Sequence, residues 1–267
     1  MSIYIIYALL ATSGTWLVTA LGAATVVFLK RPTPKLMNAM LGFASGVMIA
    51  ACFWSLLEPA IGLADSIFKT PAYFIVTAGF ICGALFMWLS DKAVTLSKIY
   101  TNRCALTGNG RNNRIMMLIL SITLHNIPEG LAVGIAFGAL GKGNDTTQSL
   151  MGAISIAIGI GLQNFPEGAA VSLPLRREGC SRSKSFMLGQ ASGIVEPIAG
   201  VLGAALVVYT ETILPFALSF AAGAMLLVSV HELIPECQKS KDENPYNATM
   251  GIVAGFAVMM LLDVMLG

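Results

Sequence analysis

The sequence predicts an all-α polytopic membrane protein of eight transmembrane helices, with an inverted repeat relating spans 1–3 to spans 6–8. Three observations predict it. First, 56% of the 267 residues are hydrophobic and only 11% are charged, against about 25% in soluble domains. Second, the apolar residues fall into runs of the length, about 20 residues, that crosses the hydrocarbon core. Third, the connections between the runs alternate in charge. A soluble core and a nucleic-acid-binding surface are both excluded by this composition.

The runs are 3–29, 36–57, 71–91, 115–139, 149–175, 186–208, 213–236 and 247–266. The first lacks a basic leader, and its positive charges follow it, so it reads as a first span rather than a cleaved signal. Connection one holds Lys30, Arg31 and Lys35; connection three holds Lys92, Lys98, Arg103, Arg111 and Arg114. Connection five holds Arg176, Arg177, Arg182 and Lys184, and connection seven holds Lys239 and Lys241. The even connections hold only Lys69 and Lys142. Basic residues collect on the cytoplasmic side, which places the odd connections inside and both termini outside; the expected location is a cell (plasma or inner) membrane. The connection at 92–114, rich in Asn, Gly and Thr, reads as a mobile cytoplasmic loop, and 1–267 as a single transmembrane domain.

The repeat is carried by two segments. Phe43-Ala-Ser-Gly-Val-Met48 matches Phe220-Ala-Ala-Gly-Ala-Met225, and each leads to a Glu- and Pro-containing turn, Ser55-Leu-Leu-Glu-Pro59 and Glu232-Leu-Ile-Pro-Glu236. The charge pattern gives spans 2 and 7 opposite directions. Inverted repeats of this kind recur in secondary transporters, with the binding site near the midplane.

Spans 4 and 5 carry nearly the same heptapeptide, Leu124-His-Asn-Ile-Pro-Glu-Gly130 and Leu162-Gln-Asn-Phe-Pro-Glu-Gly168. His125 and Glu129 are four residues apart and share a helix face, as do Gln163 and Glu167. Asn126 and Asn164 lie one residue on, about 100° around the helix. Pro128 and Pro166 deprive the carbonyls of Leu124 and Leu162 of their helical donors. Span 6 adds Glu196, also followed by a proline. Ionisable groups are expensive at this depth and mark a site by default. The bland reading, polar residues joining helices by hydrogen bonds, suits a lone amide but not three carboxylates and a histidine in a duplicated frame. Imidazole, carboxylate and amide without thiolate suit Zn²⁺ and other borderline ions such as Fe²⁺, Mn²⁺ or Cd²⁺.

These residues resemble the paired motifs of the ZIP (Zrt/Irt-like) metal transporters, in particular the GufA-like branch, and the tail Gly255-Phe-Ala-Val-Met-Met-Leu-Leu-Asp263 extends the resemblance over nearly the whole chain. The resemblance implies a 3+2+3 helix arrangement, homodimers, and import of divalent metal, usually zinc, with movement of spans 1, 4, 5 and 6 against the rest. It implies two adjacent metal positions. His125, Glu129, Gln163 and Glu167 match the first; Asn126, Glu129, Asn164, Glu167 and Glu196 match the second. Many members have Asp where this chain has Asn164, which puts the second metal in question.

Metal is therefore expected as substrate, with no cofactor and no catalytic residue. His231, Glu232 and Glu236 at the inner end of span 7, and Glu58 at the outer end of span 2, serve either metal passage or helix capping. Trp16, Trp54 and Trp88 read as packing or interface anchors, and the five cysteines, with no CxxC pair, as free packing residues. An intramembrane metalloprotease would need His-Glu-x-x-His; after His231-Glu232 the second histidine is missing. A membrane protein that binds or senses metal without moving it is the remaining alternative.

Overall fold

The computed structural model describes residues 2–28, 33–67, 72–104, 110–141, 146–177, 179–238 and 246–266. They form eight long helical units. The first is α1 (Ile3–Phe28). The second joins α2 (Pro34–Ala51), a π-helical segment (Cys52–Leu57) and α3 (Glu58–Ile67). Then come α4 (Ala72–Cys104), α5 (Gly110–Gly138) and α6 (Thr146–Arg177). The sixth unit joins α7 (Arg182–Ala191), a 3₁₀ turn (Ser192–Ile194) and α8 (Val195–Tyr209). The seventh joins α9 (Leu214–Val228), a second π segment (Ser229–Leu233) and α10 (Ile234–Cys237), and α11 (Tyr246–Leu266) is the last. Seven of these units are long and apolar enough to cross a membrane; the eighth, α5, has 29 residues and is packed among them. The chain is an all-α, multi-pass integral membrane protein.

Two boundaries differ from the sequence reading. The second unit continues ten residues beyond 57, to Ile67. The segment 92–114 is largely helix: α4 runs to Cys104 and α5 starts at Gly110, with 105–109 outside the described residues. Hydropathy marks where the bilayer ends, not where the backbone hydrogen bonds end, so a helix continues into water wherever its polar residues tolerate it. Where helices do start, local chemistry marks the place. Thr33 caps α2 by accepting from the Leu36 amide at 3.3 Å, and Ser181 caps α7 by accepting from Lys184 N at 3.2 Å. Gly179 precedes α7 with φ 86°, a left-handed turn open to glycine.

The packing has the symmetry of an inverted repeat. The most extensive helix pairs are α2 with α11 and α4 with α9, then α1 with α6 and α5 with α8. Exchanging spans 1–3 with 6–8 and span 4 with 5 turns each pair into its counterpart. The matched hexapeptides do matched work: Gly46 lies against the Ile252 backbone and Gly223 against that of Phe80, where a Cβ would collide with carbonyl oxygens. Small residues that let backbones touch are the usual basis of helix association in lipid. Met48 and Met225 are both fully buried. Each π segment ends two residues before a proline, Pro59 or Pro235, which cannot donate to the preceding turn. The result is four central helices, α1, α5, α6 and α8, flanked by the α2–α11 and α4–α9 pairs.

Candidate metal site

Helices α5 and α6 run through Pro128 and Pro166 without a break, so the duplicated motif keeps its helical register. His125, Asn126 and Glu129 from α5, Gln163, Asn164 and Glu167 from α6, and Glu196 from α8 are all buried; His125 and Glu167, each 8% exposed, are the most accessible. The break in the sixth unit is what brings Glu196 in. The 3₁₀ turn at Ser192–Ile194 resets the helix, Glu196 falls in the first turn of α8, and the Ser192 carbonyl accepts from Asn126 Nδ2 at 3.1 Å.

The polar contacts divide into two groups. Glu196 accepts from Thr15 Oγ1 (2.6 Å) and Asn164 Nδ2 (2.8 Å) on Oε2, and from Thr19 Oγ1 (3.2 Å) and Asn126 Nδ2 (3.5 Å) on Oε1. Asn164 Nδ2 also donates to the Thr15 carbonyl at 3.2 Å. Nearer α6, Gln163 Nε2 donates to Glu129 Oε1 at 2.8 Å. Four buried oxygens then have no donor: Asn126 Oδ1, Glu129 Oε2, Gln163 Oε1 and Asn164 Oδ1. Glu129, Glu167 and Glu196 interact electrostatically, and no Lys or Arg pairs with them among the described residues.

His125 points elsewhere. Its Nε2 lies 2.7 Å from Oε1 of Glu232, in the π segment that follows α9. The structure thus joins Glu232, but not its neighbours, to the site. His231 is 62% exposed and stands 3.9 Å from Asp91 Oδ2 on α4, and Glu236 is exposed. Glu58 is exposed in the first turn of α3, beside a groove lined by Phe53, Trp54 and Phe256. Among the described residues no three His, Cys, Asp or Glu converge closely enough to bind a metal alone. A complete ligand set needs the amide oxygens.

Sequence reasoning missed two features. Thr15 and Thr19 supply half of the donors to Glu196; with Thr12 they are spaced i, i+3, i+7 along α1, a polar stripe visible in the sequence. Asp263 of α11, 9% exposed, accepts at 2.8 Å from Ser55 on both oxygens and from Ser155 on one. It ties α11 to the first π segment and to α6. A carboxylate inside a predicted span was the available signal.

Fold and site together define a class: a helical membrane protein whose central helices enclose carboxylates and unpaired amide oxygens. A family model described as ZIP Zinc transporter matches residues 105–263. Zinc transporter ZIP11 of Homo sapiens is 40% identical over 97% of both chains. Zinc transporter ZIPB of Bordetella bronchiseptica is 34% identical over 99% of this chain and 83% of its own, and zinc transporter GufA of Myxococcus xanthus is 34% identical over 93% and 94%. The chain belongs to the ZIP family, in the GufA-like branch.

Proposed function

We propose that the chain carries divalent metal cations, zinc foremost, across the membrane into the cytoplasm, through a site between α5 and α6. The observation that carries this reading is the set of four buried oxygens without donors, on Asn126, Glu129, Gln163 and Asn164, beside the carboxylate of Glu167. A buried acceptor without a donor is costly, and buried carboxylates without a cationic partner more so. A divalent cation offsets both at once. The names of the relatives support zinc as the substrate.

The contacts support the following mechanism. An ion arriving from outside exchanges its water for Glu129, Glu167 and the amide oxygens. His125 completes the set when it leaves Glu232, and its return to Glu232 helps release the ion. The charge asymmetry of the connections supports a cytoplasmic position for that end of the seventh unit and, with it, import. Movement of the central four helices against the flanking pairs gives alternating access. The test is accumulation of radioactive zinc in cells that lack their own uptake systems and express the chain, beside Glu129→Ala. Uptake in the first and background in the second is expected; net zinc loss, or equal uptake by the variant, overturns the proposal.

A further inference from the structure

We propose that Glu196 is not a cation ligand in this protein but an anchor that aims the two asparagines, with Thr15 and Thr19 as its positioning residues, so that the site holds one metal ion. This rests on the reading of the site as a metal site given above. An ionised carboxylate has about four lone-pair directions. Glu196 uses all of them: Thr15 and Asn164 on one oxygen, Thr19 and Asn126 on the other. The side chain is fully buried, so any cation bound there has to displace a protein donor: a displaced amide N–H is left unpaired, whereas the Thr15 and Thr19 hydroxyls fall back on the carbonyls of Thr12 (3.0 Å) and Thr15 (3.3 Å).

The orientation of the asparagines follows from the same contacts. Each amide nitrogen faces two acceptors: Glu196 with the Ser192 carbonyl for Asn126, and Glu196 with the Thr15 carbonyl for Asn164. A main-chain carbonyl only accepts, so the nitrogen must be on that side. Both Oδ1 atoms are thereby turned away from Glu196, and both are buried without donors. Glu196 orders the amides, and the amides present oxygen to the ion. Aspartate at 164 has no proton to donate. It would release one oxygen of Glu196 and add a negative charge, which creates the second position that the wild type lacks.

Zinc stoichiometry of the purified full-length chain in detergent, by equilibrium dialysis with metal analysis, tests the assignment. Wild type is expected to bind one equivalent and Asn164→Asp two. Two equivalents in wild type would overturn the inference while leaving the metal site intact; none would overturn the reading on which it rests as well. Zinc transport in proteoliposomes gives the second arm. Thr15→Val should raise KM about tenfold, the loss of one hydrogen bond to a charged group, with kcat within about twofold, and Thr15→Ser should restore wild-type KM. Thr19→Val, which loses the longer bond, should do the same to a smaller degree and stands in if Thr15→Val does not fold. Unchanged KM in both valine variants would overturn the positioning role.

Discussion

Gly130→Ala tests how closely site geometry depends on helix approach. The glycine follows Glu129 on α5 and faces the start of α8. A Cβ there would lie 2.5 Å from the Glu196 carbonyl oxygen, 2.8 Å from its Cα and 3.0 Å from Ala199 Cβ. Ordinary contact begins at 3.4 Å, so α5 and α8 must part by about 0.9 Å, the difference from 2.5 Å. The Asn126 Nδ2 to Glu196 distance, already 3.5 Å, would pass hydrogen-bonding range, and the 3.1 Å bond to Ser192 would stretch toward 4 Å. Overpacking of this kind costs about 1–3 kcal/mol, equivalent to a roughly 5- to 150-fold change in an equilibrium constant. The variant should therefore melt earlier in detergent and show zinc-transport KM raised at least about fivefold. Gly152→Ala on α6 is the control, because nothing lies within 4 Å of its added Cβ; it should match or slightly exceed wild-type stability, since alanine is the better helix former. Wild-type melting and KM in Gly130→Ala would show that the site does not depend on this close approach of α5 and α8.

Three further outcomes follow from the contacts. Glu232→Ala removes the 2.7 Å partner of His125 and frees the imidazole; with a part-exposed partner worth about 1 kcal/mol, zinc should bind roughly fivefold more tightly in a dialysis assay. Asp263→Ala strips the acceptor from Ser55 and Ser155 and should lower stability by about 1–3 kcal/mol, read as a lower melting midpoint in detergent, with Asp263→Asn in between. Gln163→Leu leaves Glu129 Oε1 without its donor and deletes an amide oxygen from the site; zinc binding should fall by at least about tenfold, while cell-surface expression persists.

The fold was legible because bilayer thickness forces long apolar runs, and charge forces the connections apart. The repeat was legible in two hexapeptides because both solve the same problem, close backbone approach at Gly46 and Gly223. Helix ends were not: nothing in the 92–104 segment stops a helix, while its Asn and Thr residues suit a loop equally well. Within the site, residues on one helix face could be grouped by spacing alone, which is why the motifs of α5 and α6 were found together. Contacts between distant segments could not. The pairing of His125 with Glu232 depends on where α9 ends against α5, and the role of Thr15 on the break at Ser192–Ile194. Threonine in an apolar run reads as packing until a carboxylate is seen beside it. Asn164 shows the same limit: its amide in place of a carboxylate flagged a change in the second metal position, but its donation to Glu196 is visible only in three dimensions.

Transport through the buried site is tested most directly by zinc flux into proteoliposomes loaded with a zinc-sensitive dye, wild type beside Glu167→Ala. Saturable flux is expected in wild type and none in the variant, with both proteins folded and inserted. Equal flux in the two would contradict a path through the buried site between α5 and α6, and zinc bound without flux in wild type would make the chain a membrane metal-binding protein instead of a transporter.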